Sequence, residues 1–327
     1  VPKIKRLKTM IKAKRLAVAN RGWMRNNHHH KRQFIKRRFK AMTEPAVQWS
    51  RGDGVDLRLA IWEGTGRTVI CIHGLTANCR CWDLIAGRLA PQYRILTYDL
   101  RGRGGSDKPA TGYCEAQHVK DLKCLMDQQA LPRAVLMGHS LGAYIALQFA
   151  ATFPERSEGL ILLDGGGELS QEQWDRVTAA IEPSIARLDL TFPSAEVFLD
   201  RMRQLPFLQP WTREMETYFR YDLEEVAQGV RSRIQAAHIR EEMANKRQAG
   251  AAPFYPRLRC PVLILRATLG ILRVDDILLP DEVVKGMLAE IPDASWVDIE
   301  GTHHYSILFQ PHARRDEEID RFLTRTR

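Results

Sequence analysis

The residues most capable of chemistry are Gly138-His139-Ser140-Leu141-Gly142. A short apolar run, Ala134 to Met137, leads straight into them, and a helix rich in Ala and Leu, Leu141 to Ala151, leads out. A serine between a strand and a helix, with glycines two positions to either side, is expected on a sharp turn. The glycines keep Cβ atoms out of a crowded corner while the hydroxyl is lifted clear of the sheet. The same turn aims the Leu141 amide, at the helix start, towards negative charge developing near Ser140. Ser140 is therefore read as a nucleophile. A second backbone donor is needed to hold an oxyanion, and the Leu75 amide, after the strand Thr68 to Ile72 and the pair His73-Gly74, is the candidate.

A serine hydroxyl is a poor nucleophile until a histidine accepts its proton, and that histidine needs a carboxylate to fix its tautomer. Gly301-Thr302-His303-His304-Tyr305 follows the last strand and offers two histidines between which residue chemistry alone does not choose. His73, His118, His139 and His238 are read as structural. The acid is expected in the loop after the strand Cys260 to Ala267. Asp276 is the first choice there, with Asp275 beside it and Asp164, at the end of an earlier strand, as alternatives.

These residues need a scaffold, and the hydrophobic pattern supplies one. Strand-like runs at Val55 to Trp62, Thr68 to Ile72, Arg94 to Tyr98, Ala134 to Met137, Leu160 to Leu163, Cys260 to Ala267 and Trp296 to Ile299 alternate with helical stretches. The first two suggest an opening antiparallel hairpin; the rest imply βαβ units and a mostly parallel sheet covered on both faces. Between Gly165 and Pro256 the rhythm breaks. That segment reads as helical, without a buried strand, and punctuated by Pro183, Pro193, Pro206 and Pro210. It is expected to sit over the carboxyl ends of the strands, where ligands bind. Its aromatics Trp174, Phe192, Phe198, Phe207, Trp211, Tyr218, Phe219 and Tyr221 would mostly hold small helices in place, with a remainder lining an apolar pocket. Arg240-Glu241-Glu242 reads as a solvated helix face, although Glu242 or Arg203 could meet a polar substrate group.

Charge and composition narrow the classes. The first 41 residues carry fifteen lysines and arginines and no acid, whereas the remaining 286 carry 34 basic against 39 acidic residues, a net −5. The +10 of the whole chain thus belongs to its first segment, and an acidic body argues against nucleic acid as its partner. Residues 1–41 read as a poorly ordered extension without chemistry, or as sequence upstream of a start at Met42. An anionic partner for them is the weaker reading. His28 to His30 lack the carboxylate or cysteine company of a metal site. Six cysteines without repeating spacing point to a reduced, cytoplasmic protein, and no apolar stretch is long enough to span a bilayer.

The order Ser140, Asp276, His304, together with His73-Gly74, Asp99-Leu-Arg-Gly-Arg-Gly104 and the serine turn, resembles the α/β-hydrolase fold family over roughly residues 47–325. The resemblance implies an eight-stranded sheet flanked by helices, with a core from residues 42–167 and 257–327 and an inserted helical cap at 168–256. The family's Gly-x-x-His loop places the base on His304, as does the likeness of His303-His304-Tyr305 to an Asn-His-Tyr loop. Gly104-Gly-Ser-Asp-Lys-Pro109 is similar to a loop of epoxide hydrolases and haloalkane dehalogenases, but those use an aspartate where Ser140 stands. The acid loop also departs from the family's Gly-x-x-Asp pattern, because Gly270 precedes Ile-Leu-Arg-Val-Asp275-Asp276, a one- or two-residue insertion.

The expected activity is two-step acyl transfer from a small to medium carboxylic ester or lactone to water, with no metal or organic cofactor. Alternatives on the same fold are carbon–carbon bond hydrolysis of diketone-like compounds, a cofactor-free haloperoxidase or perhydrolase, and a non-catalytic binding protein. The Asp99 to Pro109 loop is read as a structural rim, with Arg101 and Asp107 forming internal pairs.

Overall fold

The computed structural model describes residues 44–246, 250–270 and 276–325. The expectations for residues 1–41, and for Asp275, lie outside the described residues. Eight strands form one sheet: β1 (Ala46–Arg51), β2 (Asp56–Trp62), β3 (Thr68–Ile72), β4 (Arg94–Tyr98), β5 (Ala134–His139), β6 (Ser157–Leu163) and, after the insertion, β10 (Val262–Ala267) and β11 (Ala294–Ile299). Their spatial order is β1-β2-β4-β3-β5-β6-β10-β11. β2 runs against both of its neighbours, and every pairing from β4 onward is parallel.

The expected opening hairpin is corrected in one respect. β2 pairs antiparallel with β1 and β4, not with β3, which lies one strand further in and parallel to β4 and β5. The reason is burial. β3 is apolar along Val-Ile-Cys-Ile and belongs in the covered middle of the sheet. β1 exposes five of its six residues and serves as the edge. It escaped the sequence reading because that exposure leaves it no apolar face.

Helices α1 (Asp83–Leu89), α2 (Glu115–Gln128) and α3 (Leu141–Thr152) connect the strands of the first half. α3 buries ten of its twelve residues against the sheet. Two cores result, one on each face. Leu136, Leu160 and Ile264 point into the face that α3 covers, and Val135, Ile161 and Leu263 into the other, the alternation of a two-sided sheet.

The chain leaves the sheet after β6 and returns at β10, and the residues between them form the inserted cap. Its helices are α4 (Gln171–Ala186), α5 (Ala195–Arg203), α6 (Arg213–Tyr221) and α7 (Ala236–Lys246). Ser170, Ser194 and Thr212 each accept a backbone N–H of the following helix, and Ser170 with Gln173 completes a capping box. The cap is not wholly helical. Strands β7 (Thr191–Phe192), β8 (Leu223–Val226) and β9 (Gly229–Ser232) make a small antiparallel sheet in the order β7-β9-β8. These strands are two to four residues long, too short to leave a periodic signal. Helices α8 (Asp281–Glu290), α9 (Ser306–Phe309) and α10 (Ala313–Arg325) close the chain.

The packing between α3 and the sheet leaves no space for a side chain at Gly142. A Cβ there would lie 2.0 Å from the Ile72 carbonyl oxygen, and one on Gly138 would lie 2.2 Å from that of Gly142. Gly142→Ala is therefore expected to destabilise the fold by about 1–3 kcal/mol, as overpacking does. An unchanged urea midpoint would contradict this packing.

Candidate active site

β3, β5 and β6 lie side by side, so His73, Ser140 and Asp164 stand together at the carboxyl ends of neighbouring strands. Ser140 has φ 54° and ψ −122°, a left-handed conformation that side-chain-bearing residues rarely adopt. The surrounding backbone holds it there: its N–H donates to Leu163 O at 3.2 Å and its carbonyl accepts from Ala143 N–H at 2.9 Å. Such a conformation costs about 1–3 kcal/mol and persists only where the neighbours over-determine it.

His304 reaches this point from the loop after β11. Leu269 N–H donates to Thr302 O, and Gly301 N–H to Thr268 Oγ1, which shapes the loop's entry. His139 Nε2 lies 2.9 Å from His304 O, and the two rings pack at 4.4 Å between centroids. Burial keeps His139 far below the usual imidazole range, so it is neutral and donates this hydrogen bond. Below the loop, buried Arg315 donates to Ile307, Leu308 and Gln310 carbonyls and pairs with Asp316.

The two histidines of the loop separate cleanly. His303 Nδ1 accepts the N–H groups of Tyr305 and Ser306 and so serves as a turn-forming residue before α9. His304 Nδ1 lies 2.7 Å from Asp164 Oδ2, with both side chains buried. The expected ranking of the acids changes here: the carboxylate on His304 Nδ1 is that of Asp164, not the first choice Asp276. Asp164 is held at φ 44°, its N–H donates to Leu265 O, and its Oδ1 accepts from Ala267 N–H at 3.1 Å. Aspartate tolerates the left-handed region better than most residues, which suits it to this sharp departure from β6. Asp276 is also buried, and its charge acts on His303.

The Gly74–Leu75 peptide carries the amide expected to face an oxyanion. Gly74 O sits 2.8 Å from His73 Nδ1 and accepts Ala77 N–H at 3.2 Å. Leu100 N–H donates to His73 Nε2 at 3.0 Å, which fixes the proton on Nδ1. His73 is thus the structural residue expected. Burial pushes it down to about 4, so it stays neutral at physiological pH.

Ser140 and His304 line one cleft of about 1050 Å³, open mouth included, beneath the cap. Leu75, Trp174, Val177, Ile181, Leu278 and Phe309 make its walls apolar. Of the cap aromatics singled out in the sequence, Trp174 and Tyr218 line this cleft, whereas Phe192, Phe198 and Phe219 pack edge-to-face among themselves and Trp211 stacks on Phe219. Among the described residues no lysine or arginine lines it, and Glu242 is its one carboxylate.

Glu242 overturns the reading of Arg240-Glu241-Glu242 as a solvated face. It is 1% exposed, bonded to Arg103 Nη2 at 2.7 Å and to His118 Nε2 at 2.9 Å. The neighbouring Glu241 accepts the N–H groups of Gly112 and Tyr113. Arg203 instead pairs with Asp200 and Glu216 away from the cleft. His238 stacks on Tyr113. On the rim, Arg101 forms a two-bonded pair with Asp121, and Asp107 accepts Asp56 N–H. Arg103, which sequence reasoning passed over, and Tyr221, singled out there only as a cap aromatic, connect this rim to the cap. The one signal for Arg103 was an arginine between two glycines of the loop.

Among the described residues there is no group of three or more His, Cys, Asp or Glu able to hold a metal. No described helix is long and apolar enough to cross a membrane. All six cysteines are free thiols.

Comparison with known proteins agrees with this architecture. Residues 69–317 match the model of the alpha/beta hydrolase family, and the chain belongs to that family. Among curated relatives, it is 31% identical over 119 residues to a 2-(acetamidomethylene)succinate hydrolase of Mesorhizobium japonicum, covering 36% of this chain and 43% of that protein. It is 38% identical over 100 residues to a pimeloyl-[acyl-carrier protein] methyl ester esterase of Pectobacterium carotovorum, covering 30% of this chain and 37% of that one. An uncharacterized protein of Mycobacterium bovis is 36% identical over 104 residues, 32% of this chain and 30% of its own length. The chain therefore spans less than half the length of these relatives. Its fold superposes on a crystal structure of E-2-(acetamidomethylene)succinate hydrolase with a TM-score of 0.74 at 22% identity, covering 86% of this chain and 99% of that one. An alpha/beta hydrolase from Novosphingobium aromaticivorans gives 0.69 at 23%, covering 87% and 100%.

Two measurements check the site. The proton on His304 Nδ1 is expected to give a strongly downfield NMR signal that Asp164→Asn removes and Asp276→Asn retains; the reverse pattern would return Asp276 to the pair. His73 also makes stability depend on pH. Its folded value near 4 lies below the ordinary 6.5, so the unfolded chain takes the proton first. The stability it contributes is complete above pH 6.5 and is lost as pH falls towards 4. Urea midpoints should therefore drop across that window, and less steeply in His73→Asn.

Proposed function

We propose that the chain is a serine hydrolase that cleaves an uncharged, apolar carboxylic ester or lactone, with Ser140 as nucleophile, His304 as base and Asp164 as the acid that orients it. The observation that carries the reading is the strained turn at Ser140 opening into the cleft lined by His304, whose far nitrogen is held by Asp164. That arrangement needs a neutral imidazole with its proton on Nδ1 and a free Nε2, and a buried carboxylate on Nδ1 favours that tautomer.

The steps follow from the residues. Ser140 Oγ attacks the carbonyl carbon as His304 Nε2 takes its proton. The amides of Leu75 and Leu141 stabilise the oxygen that becomes negative, and the imidazolium, balanced by Asp164, gives its proton to the departing alkoxide. Water then attacks the acyl-serine with His304 again as base, releasing the acid and restoring Ser140 Oγ–H. No electron changes hands and water is the co-reactant. Asp276 takes no part in this reading.

Substrate class is argued from the walls. Apolar walls with no lysine or arginine among the described lining residues disfavour a substrate that brings its own carboxylate into the cleft. This distinguishes the chain from the succinate-type substrate in the name of its relative from Mesorhizobium japonicum. The methyl ester esterase named among the relatives lends the ester reading support.

With p-nitrophenyl acetate, butyrate and octanoate at pH 7.5, turnover is expected for the wild type, to background in Ser140→Ala. Asp164→Asn should lose on the order of 10³–10⁴-fold in kcat, and Asp276→Asn far less. A butyrate analogue carrying a terminal carboxylate should fall by about tenfold or more in kcat/KM. A folded wild type inert on all three esters would remove the esterase reading, and equal turnover of the carboxylate analogue would remove the substrate class.

A further inference from the structure

Leu75 is fixed on both sides. The carbonyl before its amide is held by His73, and its own carbonyl accepts Arg103 Nε at 3.1 Å. Arg103 is wholly buried, and its other nitrogens are occupied: Nη1 donates to Arg101 O at 3.0 Å and Nη2 to Glu242 Oε2 at 2.7 Å. Glu242 in turn lies 2.9 and 3.1 Å from His118 Nε2 on α2. Arg103 and His118 belong to the sheet domain, but Glu242 belongs to α7 of the cap and lines the cleft. A single cap carboxylate therefore completes the bonding of the guanidinium that pins the Leu75 carbonyl.

We propose that Glu242 is a positioning residue that acts through Arg103 on the Leu75 peptide, so that the oxyanion donor is correctly aimed only when α7 is seated on the core. The proposal rests on the serine-hydrolase reading for its catalytic consequence but not for the mechanical link. Removing the carboxylate leaves the buried guanidinium without its counter-ion, and the guanidinium must then move towards another acceptor or water. Either movement releases Leu75 O. Leu75 then keeps only the hold at the Gly74 carbonyl, its amide is aimed less firmly, and a misaimed donor costs transition-state stabilisation rather than substrate binding. Other contacts of α7 with the core include Glu241 to the Gly112 and Tyr113 amides, Asn245 to Tyr113 O, and the His238 ring stacked on Tyr113. They seat the helix independently of Glu242, so a Glu242 variant can keep the cap in place while losing the link.

The test uses the full chain, wild type and the Glu242→Gln and Glu242→Ala variants, with two readouts. The first is the Leu75 amide resonance in ¹⁵N-leucine-labelled protein, which is expected to shift in both variants, more in Glu242→Ala. The second is p-nitrophenyl butyrate turnover, where kcat should fall on the order of 10- to 100-fold in Glu242→Ala and less in Glu242→Gln, with KM nearly constant. An unmoved Leu75 amide in Glu242→Gln overturns the proposal whatever the activity, and this isosteric variant also serves if Glu242→Ala does not fold. A raised KM at constant kcat overturns it in favour of a pocket-wall role. A shifted amide in a chain whose wild type hydrolyses no ester supports the link while removing the serine-hydrolase reading.

Discussion

Everything at this site depends on one crowded corner, the passage from β5 into α3. The helix starts so close to the sheet that position 142 lies against the Ile72 backbone, and Ser140 is held at φ 54° between them. A relaxed turn would place the serine hydroxyl along the sheet, where it would meet only core. The strained turn raises it into the cleft and leaves the Leu141 amide at a helix start. The strain is sustained by backbone hydrogen bonds to β6 and by α3, which buries nearly its whole surface. Rigidity here is therefore a by-product of burying a very apolar helix on a very apolar sheet.

The second structural theme is that a single loop, residues 99–106, receives the cap at two points. Asp99 accepts the amides of Cys79 and Gly105 and the hydroxyl of Tyr221 from the end of α6, while Arg103 receives Glu242 from α7. Burial alone would raise the Glu242 carboxyl, but the His118 ring and the Arg103 guanidinium outweigh it and hold the group at about 2. It is therefore a carboxylate at neutral pH. A buried ion pair adds little net stability over an apolar substitute, yet losing one partner costs far more.

The legible part of the molecule was the part built from repeated, strongly apolar elements. β3, β5, β6 and β10 are continuous buried runs, and the serine turn lies between two of the clearest elements in the chain. His304 followed from the resemblance to the family's loop, whereas Asp164 did not emerge as first choice. Asp164 and Asp276 both follow strands, β6 and β10, that are neighbours in the sheet, and both are buried. Which one meets the imidazole is decided by loop geometry, a φ of 44° and a bond to Ala267, and neither leaves a trace in residue type. Glu242 was misread for a related reason. A glutamate beside an arginine and another glutamate on a helix of weak amphipathicity looks solvated, because its partners Arg103 and His118 lie 139 and 124 residues away.

Asp164 and Glu242 point to a division of labour within the chain. The sheet ends carry Ser140 and Asp164 on short, over-determined backbone, and their geometry is largely independent of what lies above. The cap supplies apolar walls through Trp174, Val177 and Ile181, and it also supplies a charge. Walls can vary without disturbing the corner at Ser140, since they line the cleft and do not hold the turn's backbone. The charge cannot vary so freely, because an arginine evolved to be buried needs an acid wherever the cap is placed. A change of substrate through the cap walls is thus physically cheap, whereas loss of the Glu242 carboxylate propagates to the Leu75 peptide beneath it. In this fold the long-range ion pair, rather than the apolar contact area, decides which cap residues are bound to the chemistry.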